Sequence, residues 1–97
     1  MGIYVSLINY TEQGIKGIKE RHTAPTSMSA TLEAKGIKVL SAYVTIGQYD
    51  EIHIWEAPDD ETAAGLLLAW GKRGNVKTVT LKALTIDQFR EIAAKLP

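Results

Sequence analysis

The 97-residue chain is predicted to fold as one α+β domain of the split βαβ type. Runs with a period of two alternate with runs of helical period, in the order strand, helical region, two hairpin strands, helix, strand and helix. No linker or internal repeat interrupts this order. A chain of this length can bury roughly two thirds of its unfolded surface, which is enough for one modest core. We therefore expect a single domain over residues 1–97.

The first half of the chain predicts one strand and a weak helical region. The strand runs from about Ile3 to Asn9, and Thr11 can serve as N-cap of the region that follows. Glycines lower its helix propensity and a proline follows, so we expect a break over residues 21–24. A second helical piece should end at Gly36, because glycine adopts a left-handed C-cap without steric cost. The residues of that piece predicted to turn inward are Met28 and Leu32.

The second half carries clearer signals. The acidic segment 58–61 begins a helix and residues 72–74 end it. A strand is predicted over 76–84, and Thr85 with Gln88 forms a capping box for a last helix. The apolar side of the earlier helix consists of Ala63, Leu66, Leu67 and Trp70, which we interpret as core. The last helix is predicted to turn Ile86, Phe89, Ile92 and Ala93 toward the body of the domain.

The hairpin decides which residues share a face of the sheet. Alternate residues of a strand lie on one face, which groups Leu40, Ala42, Val44 and Ile46 with Ile52 and Ile54 on the predicted helix-covered face. This register places Ile46 opposite Asp50, with the adjustment inside the segment "GQYD". Gly47 would supply a positive φ there, and Asp50 would accept backbone N–H groups as the turn closes.

The opposite face is predicted to be mixed, with Val39, Ser41, Tyr43 and Thr45 beside Glu51, His53 and Trp55. The other strands are expected to add Tyr4, Ser6, Ile8, Thr78, Thr80 and Lys82. Such a composition suits a surface that meets a partner and retains a wet pocket. The candidate ligand-binding residues are Ser6, Tyr43, Glu51, His53, Trp55 and Thr80.

His53 has the greatest chemical capability on this face. With Tyr43 and Glu51 nearby it could act as an acid–base group, but a hydrogen-bonded interface histidine explains the same pattern. Tyr43 and Trp55 could likewise stack on a flat ligand or anchor an interface. His22 is the other histidine and has no ligand-type spacing to His53, so we predict no metal site.

Composition excludes several classes of function. The chain has 11 basic and 11 acidic residues and no basic stripe, so nucleic acid is not expected as a partner. It has no cysteine, which suits a cytoplasmic location, and no segment typical of a membrane span or secretory signal. No phosphate-binding glycine motif or hydrolytic triad is present, and no cofactor is predicted.

Three stretches resemble the GYD domain family and together cover nearly the whole chain: "NYTEQGIKGIK", "TIGQYDEIHIWEAPDDETA" and "GNVKTVTLKAL". Gly47, Tyr49 and Asp50 match the turn motif that gives the family its name, whereas His53 and Trp55 stand where such proteins commonly carry aliphatic residues. The resemblance implies a ferredoxin-like βαββαβ subunit with an antiparallel sheet and a C-terminal helix. It also implies that two subunits pair sheet to sheet as a dimeric α/β barrel, and it implies no catalytic residues.

The leading hypothesis is a homodimeric, or higher even-numbered, binding module with a small-molecule pocket between paired sheets. One alternative is a cofactor-independent isomerase or monooxygenase of the dimeric α/β-barrel type, an analogy at the level of the fold. Another is a purely structural oligomerisation domain with a dry interface. The sequence does not decide whether the protein is an enzyme.

Overall fold

A computed structural model describes residues 1–23 and 28–97 of the chain. It contains four strands, β1 (Gly2–Tyr10), β2 (Lys38–Val44), β3 (Glu51–Ala57) and β4 (Val76–Ala83). The described helices are α1 (Glu12–Lys16), α2 (Ile18–Thr23), α3 (Met28–Ala34), α4 (Asp60–Lys72) and α5 (Ile86–Ala94). The strands form one antiparallel sheet in the order β2-β3-β1-β4. This order, with α4 joining β3 to β4 across β1, confirms the predicted α+β, ferredoxin-like fold.

The predicted helix starts are confirmed by their hydrogen bonds. The Thr11 hydroxyl accepts from the backbone N–H of Gly14 at 3.0 Å, and the Asp59 carboxylate accepts from that of Thr62 at 2.7 Å. The capping box of Thr85 and Gln88 is present in full. Each bond satisfies a backbone donor that the first helical turn leaves without a partner.

The region after β1 divides earlier than predicted. The break falls at Gly17, between α1 and α2, and α2 continues to Thr23, so that the predicted break over 21–24 is wrong for its first three residues. Residue 24 lies outside the described part, as does the side chain of Met28. Gly36 follows α3 with a φ of +74°, as the C-cap prediction requires, and Leu32 packs inward against the core.

The core lies between the sheet and α4. Tyr4 of β1 stacks on Trp55 of β3 with ring centroids 4.8 Å apart. The buried cluster comprises Tyr4, Ile37, Trp55, Ala57 and Ala63, and the partly buried Leu32, Leu66 and Leu67 pack against it. The predicted core side of α4 is thereby confirmed for Ala63, Leu66 and Leu67. The sheet face beneath the helices is therefore the one that carries Tyr4 and Trp55.

The predicted assignment of the two sheet faces is wrong for β1, β3 and β4, whereas Ala42 and Tyr43 of β2 lie on the predicted sides. In the structure Ala42 pairs with His53 and Tyr43 with Ile52, a slip of one residue from the expected register. The Thr45 N–H donates to the Asp50 carbonyl at 2.8 Å, so Thr45 rather than Ile46 lies opposite Asp50. The irregularity that we placed in the loop is instead a bulge between Val39 and Ser41. Because side chains alternate, one step of slip moves Tyr43 to the face opposite His53.

The uncovered side of the sheet is strongly aliphatic. Strand pairing aligns its side chains in rows across β1, β3 and β4, with Tyr43 of β2 at one side. We call this surface the open face; it consists of Val5, Leu7, Tyr43, Ile52, Ile54, Val79 and Leu81. Leu81 is 53% exposed and Val79 is 50% exposed. Ile52 and Ile54, which were predicted to lie under the helices, are thus on the side that the described helices leave bare, whereas Ala42 of the same predicted set lies beside His53 on the covered side.

Helix α5 also differs from its prediction. It forms as expected, but its apolar residues do not turn toward the body: Ile86, Phe89 and Ile92 are 66%, 59% and 51% exposed. Ala93 is exposed as well. The chain has a Cα radius of gyration of 15.4 Å, whereas a compact domain of this length has about 12.5 Å. Helix α5 therefore extends from the domain with its apolar side uncovered.

Gly14 is required by a close backbone approach. A Cβ atom at Gly14 would lie 1.9 Å from the Asn75 carbonyl oxygen, whereas one at Gly65, inside α4, would meet nothing within 4 Å. We expect Gly14→Ala to lower the free energy of unfolding by about 1–3 kcal/mol through this overlap. Gly65→Ala is the matched control and should raise it by up to about 1 kcal/mol through helix propensity. Urea unfolding at equal protein concentration measures both, and equal stability of the two variants would contradict the packing described.

Candidate functional site

Five of the six predicted ligand-binding residues lie together, on the helix-covered side of the sheet. Strand pairing places Ser6 opposite His53 and opposite Thr80, and Glu51 and Trp55 follow on the same face of β3. The sixth, Tyr43, lies on the open face and is 63% exposed. We predicted that these residues line a pocket between paired sheets. In the structure these five instead face the helices of their own chain.

Ser6, Thr80 and Trp55 form a buried hydrogen-bonded chain. The Ser6 and Thr80 hydroxyl oxygens are 2.8 Å apart, and the Trp55 indole N–H donates to the Ser6 hydroxyl at 2.9 Å. Ser6 is 0% exposed. Its hydroxyl is engaged on both sides, so this group satisfies buried polar atoms and orients the Trp55 ring.

A second polar group is centred on Glu51, which is buried at the start of β3. One carboxylate oxygen lies 2.8 Å from His53 Nε2 and the other 3.5 Å from His22 Nε2. The Tyr10 hydroxyl donates a hydrogen bond to the same carboxylate. Burial and this bond raise the pKa of Tyr10, which keeps the hydroxyl protonated as a donor. We call these residues the Glu51 cluster: Tyr10, His22, Glu51 and His53.

A third group fastens the start of α4 to the sheet. The Tyr4 hydroxyl donates to the Asp60 carboxylate, which also accepts from Lys82 Nζ at 2.8 Å. The bond to Asp60 is the main cause that raises the pKa of Tyr4 to about 12. The bonds from Lys82 and Tyr4 lower the pKa of Asp60. The group joins β1, β4 and α4 and is structural.

The turn motif holds the β2–β3 loop against β1. Gly47 has a φ of +148°, a conformation that favours glycine, as predicted. The Thr45 hydroxyl donates to the Tyr49 carbonyl at 2.6 Å. Asp50 accepts a backbone N–H from Tyr10 at 2.8 Å, at the end of β1, and its own N–H donates to the Ile8 carbonyl. The motif is a connection within the fold.

A cavity of about 280 Å³ lies beside the Glu51 cluster, between the sheet and helices α3 and α4. His53 and Trp70 meet at its wall with ring centroids 5.5 Å apart. Its lining consists of Leu32, Ile37, Val39, Ala42, His53, Trp55, Leu66, Ala69, Trp70 and Arg73. Sequence reasoning placed Trp70 in the core and missed Arg73. The available signal was their spacing of three residues at the end of α4, which puts both on one side of the helix.

The arrangement has the components of acid–base chemistry. The pair of His53 and Glu51 resembles a general base with its orienting carboxylate, and His53 lines the cavity. The described lining contains no hydroxyl or thiol nucleophile. Within residues 1–23 and 28–97 there is no group of three metal-ligating side chains placed to hold an ion. No helix in this part of the chain is long and apolar enough to cross a membrane.

The fold and the turn at Gly47 define the class as a ferredoxin-like α+β protein. The family model of the GYD domain matches residues 4–93, so the chain belongs to the GYD domain family. It is similar to a Thermus thermophilus protein named glutamine synthetase and cystathionine beta-lyase binding protein. The two are 30% identical over 87 residues, which span 89% of this chain and 92% of that protein. No solved structure matches the chain.

The Glu51 cluster should contribute to stability through its charged carboxylate. Glu51→Gln keeps the shape of the side chain but removes the charge that His53, His22 and Tyr10 surround. We expect the free energy of unfolding to fall by about 1–3 kcal/mol, the usual effect of weakening a buried charged hydrogen bond. Glu91→Gln, on the exposed side of α5, is the control and should change it by less than about 0.5 kcal/mol. Urea unfolding at neutral pH compares them, and a neutral Glu51→Gln would contradict this role.

Proposed function

We propose that this protein is a homodimeric binding module: two copies pair through their open faces, and the dimer binds metabolic enzymes. The observation that carries the first part is the aliphatic open face, which no described helix covers. The similar Thermus protein, named for binding two enzymes, supports the second part.

The open face favours a second copy of the chain as its occupant. A sheet with apolar residues on both faces needs a layer on each side, and the described helices α1–α4 supply only one. The central residues of the open face carry no charge, so a second copy rotated by a two-fold axis meets them without repulsion. The absence of charge therefore supports an isologous interface, in which the same patch of each copy meets itself.

The sheet alone is a small interface. Four strands about 4.8 Å apart, with seven to nine residues rising about 3.3 Å each, give a footprint of roughly 500 Å². A stable interface takes roughly 800 Å² from each partner. The uncovered side of α5 supplies further apolar surface at the end of β4, so in our proposal it packs on the partner copy. Its contacting residues would be Ile86, Phe89 and Ile92.

This pairing leaves the helical side of each subunit facing outward. The exposed residues there include Leu68, at 76% exposure, among charged and polar side chains of α4. A dimer presents two such surfaces related by symmetry, and two sites on one partner increase apparent affinity through effective concentration. Oligomeric enzymes are therefore suitable partners for a module of this kind.

Light scattering coupled to size-exclusion chromatography tests the dimer. The unchanged chain should elute with twice its monomer mass. Leu81→Glu places a charge in the open face and should yield a monomer, because the interface would bury a carboxylate without a partner. Phe89→Asp should weaken the dimer at least tenfold through α5, since it removes a large apolar contact.

Leu68→Glu is the matched control for Leu81→Glu. Leu68 is more exposed than Leu81 but lies on α4, away from the open face, so this variant should remain a dimer. Circular dichroism checks that all variants retain the fold. A folded wild-type monomer, or a Leu81→Glu variant that stays dimeric, would overturn pairing through the open face.

Binding to enzymes needs a separate measurement. The purified dimer should bind the glutamine synthetase or the cystathionine beta-lyase of its own organism with micromolar affinity or better in biolayer interferometry. Serum albumin serves as the unrelated control protein. If neither enzyme binds, the enzyme part of the proposal is wrong, whatever the oligomeric state.

A further inference from the structure

We propose that the cavity between the sheet and α4 binds a small carboxylic acid that carries a planar ring. The apolar body of the acid would lie against Trp55 and Trp70, and Arg73 would hold its carboxylate. This site is on the opposite side of the sheet from the open face, so the inference goes beyond the proposed function and does not depend on it.

The lining favours an apolar body. Eight of the ten lining residues have aliphatic or indole side chains, and the polar ones are His53 and Arg73. An apolar cavity holds water poorly and binds hydrocarbon groups in its place. The volume of about 280 Å³ is near the lower end for ligand sites, which suits a single ring with a short side chain.

The aromatic side chains favour a planar body. Trp55, Trp70 and His53 all contribute to the lining, and the planes of His53 and Trp70 are inclined by only 30°. His53 and Trp70 are in direct contact with each other and present aromatic surface at the cavity wall, on which offset stacking of a planar ring adds attraction beyond the burial of area. The Trp55 ring is held by its hydrogen bond to Ser6, so this wall is already oriented before a ligand enters.

Charge selects an acid. His53 Nε2 is engaged by Glu51 at 2.8 Å. Among the residues that the structure describes, the Arg73 guanidinium makes no hydrogen bond or ion pair. Arg73 therefore supplies a permanent positive charge to the lining that has no acidic partner in the described part of the chain. A guanidinium binds a carboxylate through two parallel hydrogen bonds, which an amide cannot reproduce.

The chain offers a direct spectroscopic readout. Its two tryptophans are Trp55 and Trp70, and both line the cavity. Their indole N–H signals in a ¹⁵N-correlated NMR spectrum are distinguished by the loss of one signal in Trp70→Phe. The probes are 3-phenylpropanoate and its uncharged analogue 3-phenylpropanamide, which share the ring and the chain length.

We expect titration with 3-phenylpropanoate to shift both indole signals, with an affinity about tenfold higher than that of the amide. Arg73→Gln should reduce the affinity for the acid to that for the amide and leave the amide unaffected. Arg90→Gln, on α5 and outside the lining, is the control and should bind like the unchanged protein. Ala69→Phe fills the cavity and should abolish binding of both probes.

Each contrary outcome is informative. Equal affinity for acid and amide in the unchanged protein would overturn the role of Arg73. Unshifted indole signals up to the solubility limit of both probes would overturn the site itself, as would binding that survives in a folded Ala69→Phe variant. The monomeric Leu81→Glu variant should still bind the acid, which separates failure of this site from failure of the dimer.

Discussion

The structure depends on one constraint: the described helices that pack on the sheet cover only one of its two faces. The covered face is the one that carries the polar groups, because its polar atoms find partners within the chain. Ser6 bonds to Trp55 and Thr80, and Glu51 is surrounded by donors. Burial of such groups is tolerated only when every one is satisfied. The aliphatic face needs no specific partners, and for that reason it can be completed by another molecule.

The elements and their order were predictable because they depend on local chemistry. The strands were predicted from runs with a period of two, and the helix starts from the capping residues Thr11, Asp59 and Thr85. The order of strands and helices predicted the four-stranded antiparallel sheet. The resemblance in the Gly47 turn identified the family correctly. The orientation of α5 was not predictable in this way, since an amphipathic pattern shows that a helix has an apolar side but not which molecule covers it.

The faces of the sheet were assigned wrongly for a physical reason. Alternation separates two sets of residues but does not say which set faces the helices when both are apolar. The greater hydrophobicity of Ile52 and Ile54 favoured them as core, yet the polar set is the one inside. The proximity of Glu51 to His53 could be predicted from the sequence, because residues two apart in a strand share a face. Tyr10 and His22 join the site only through tertiary packing, which the spacing of residues in the sequence does not contain.

Strand β3 connects the two sides of the molecule. His53 and Trp55 face the helices and the cavity. Ile52, which precedes His53, and Ile54, which lies between His53 and Trp55, face outward. A substitution on β3 therefore changes both surfaces through one backbone, and its effect on assembly cannot be separated from its effect on the cavity. Leu68, Leu81 and Arg90 lie on other elements, and Arg73 is the C-cap of α4. Substitutions at those positions change one surface while leaving the central strand as it is, so the proposed dimer and the proposed ligand site can be tested independently of each other.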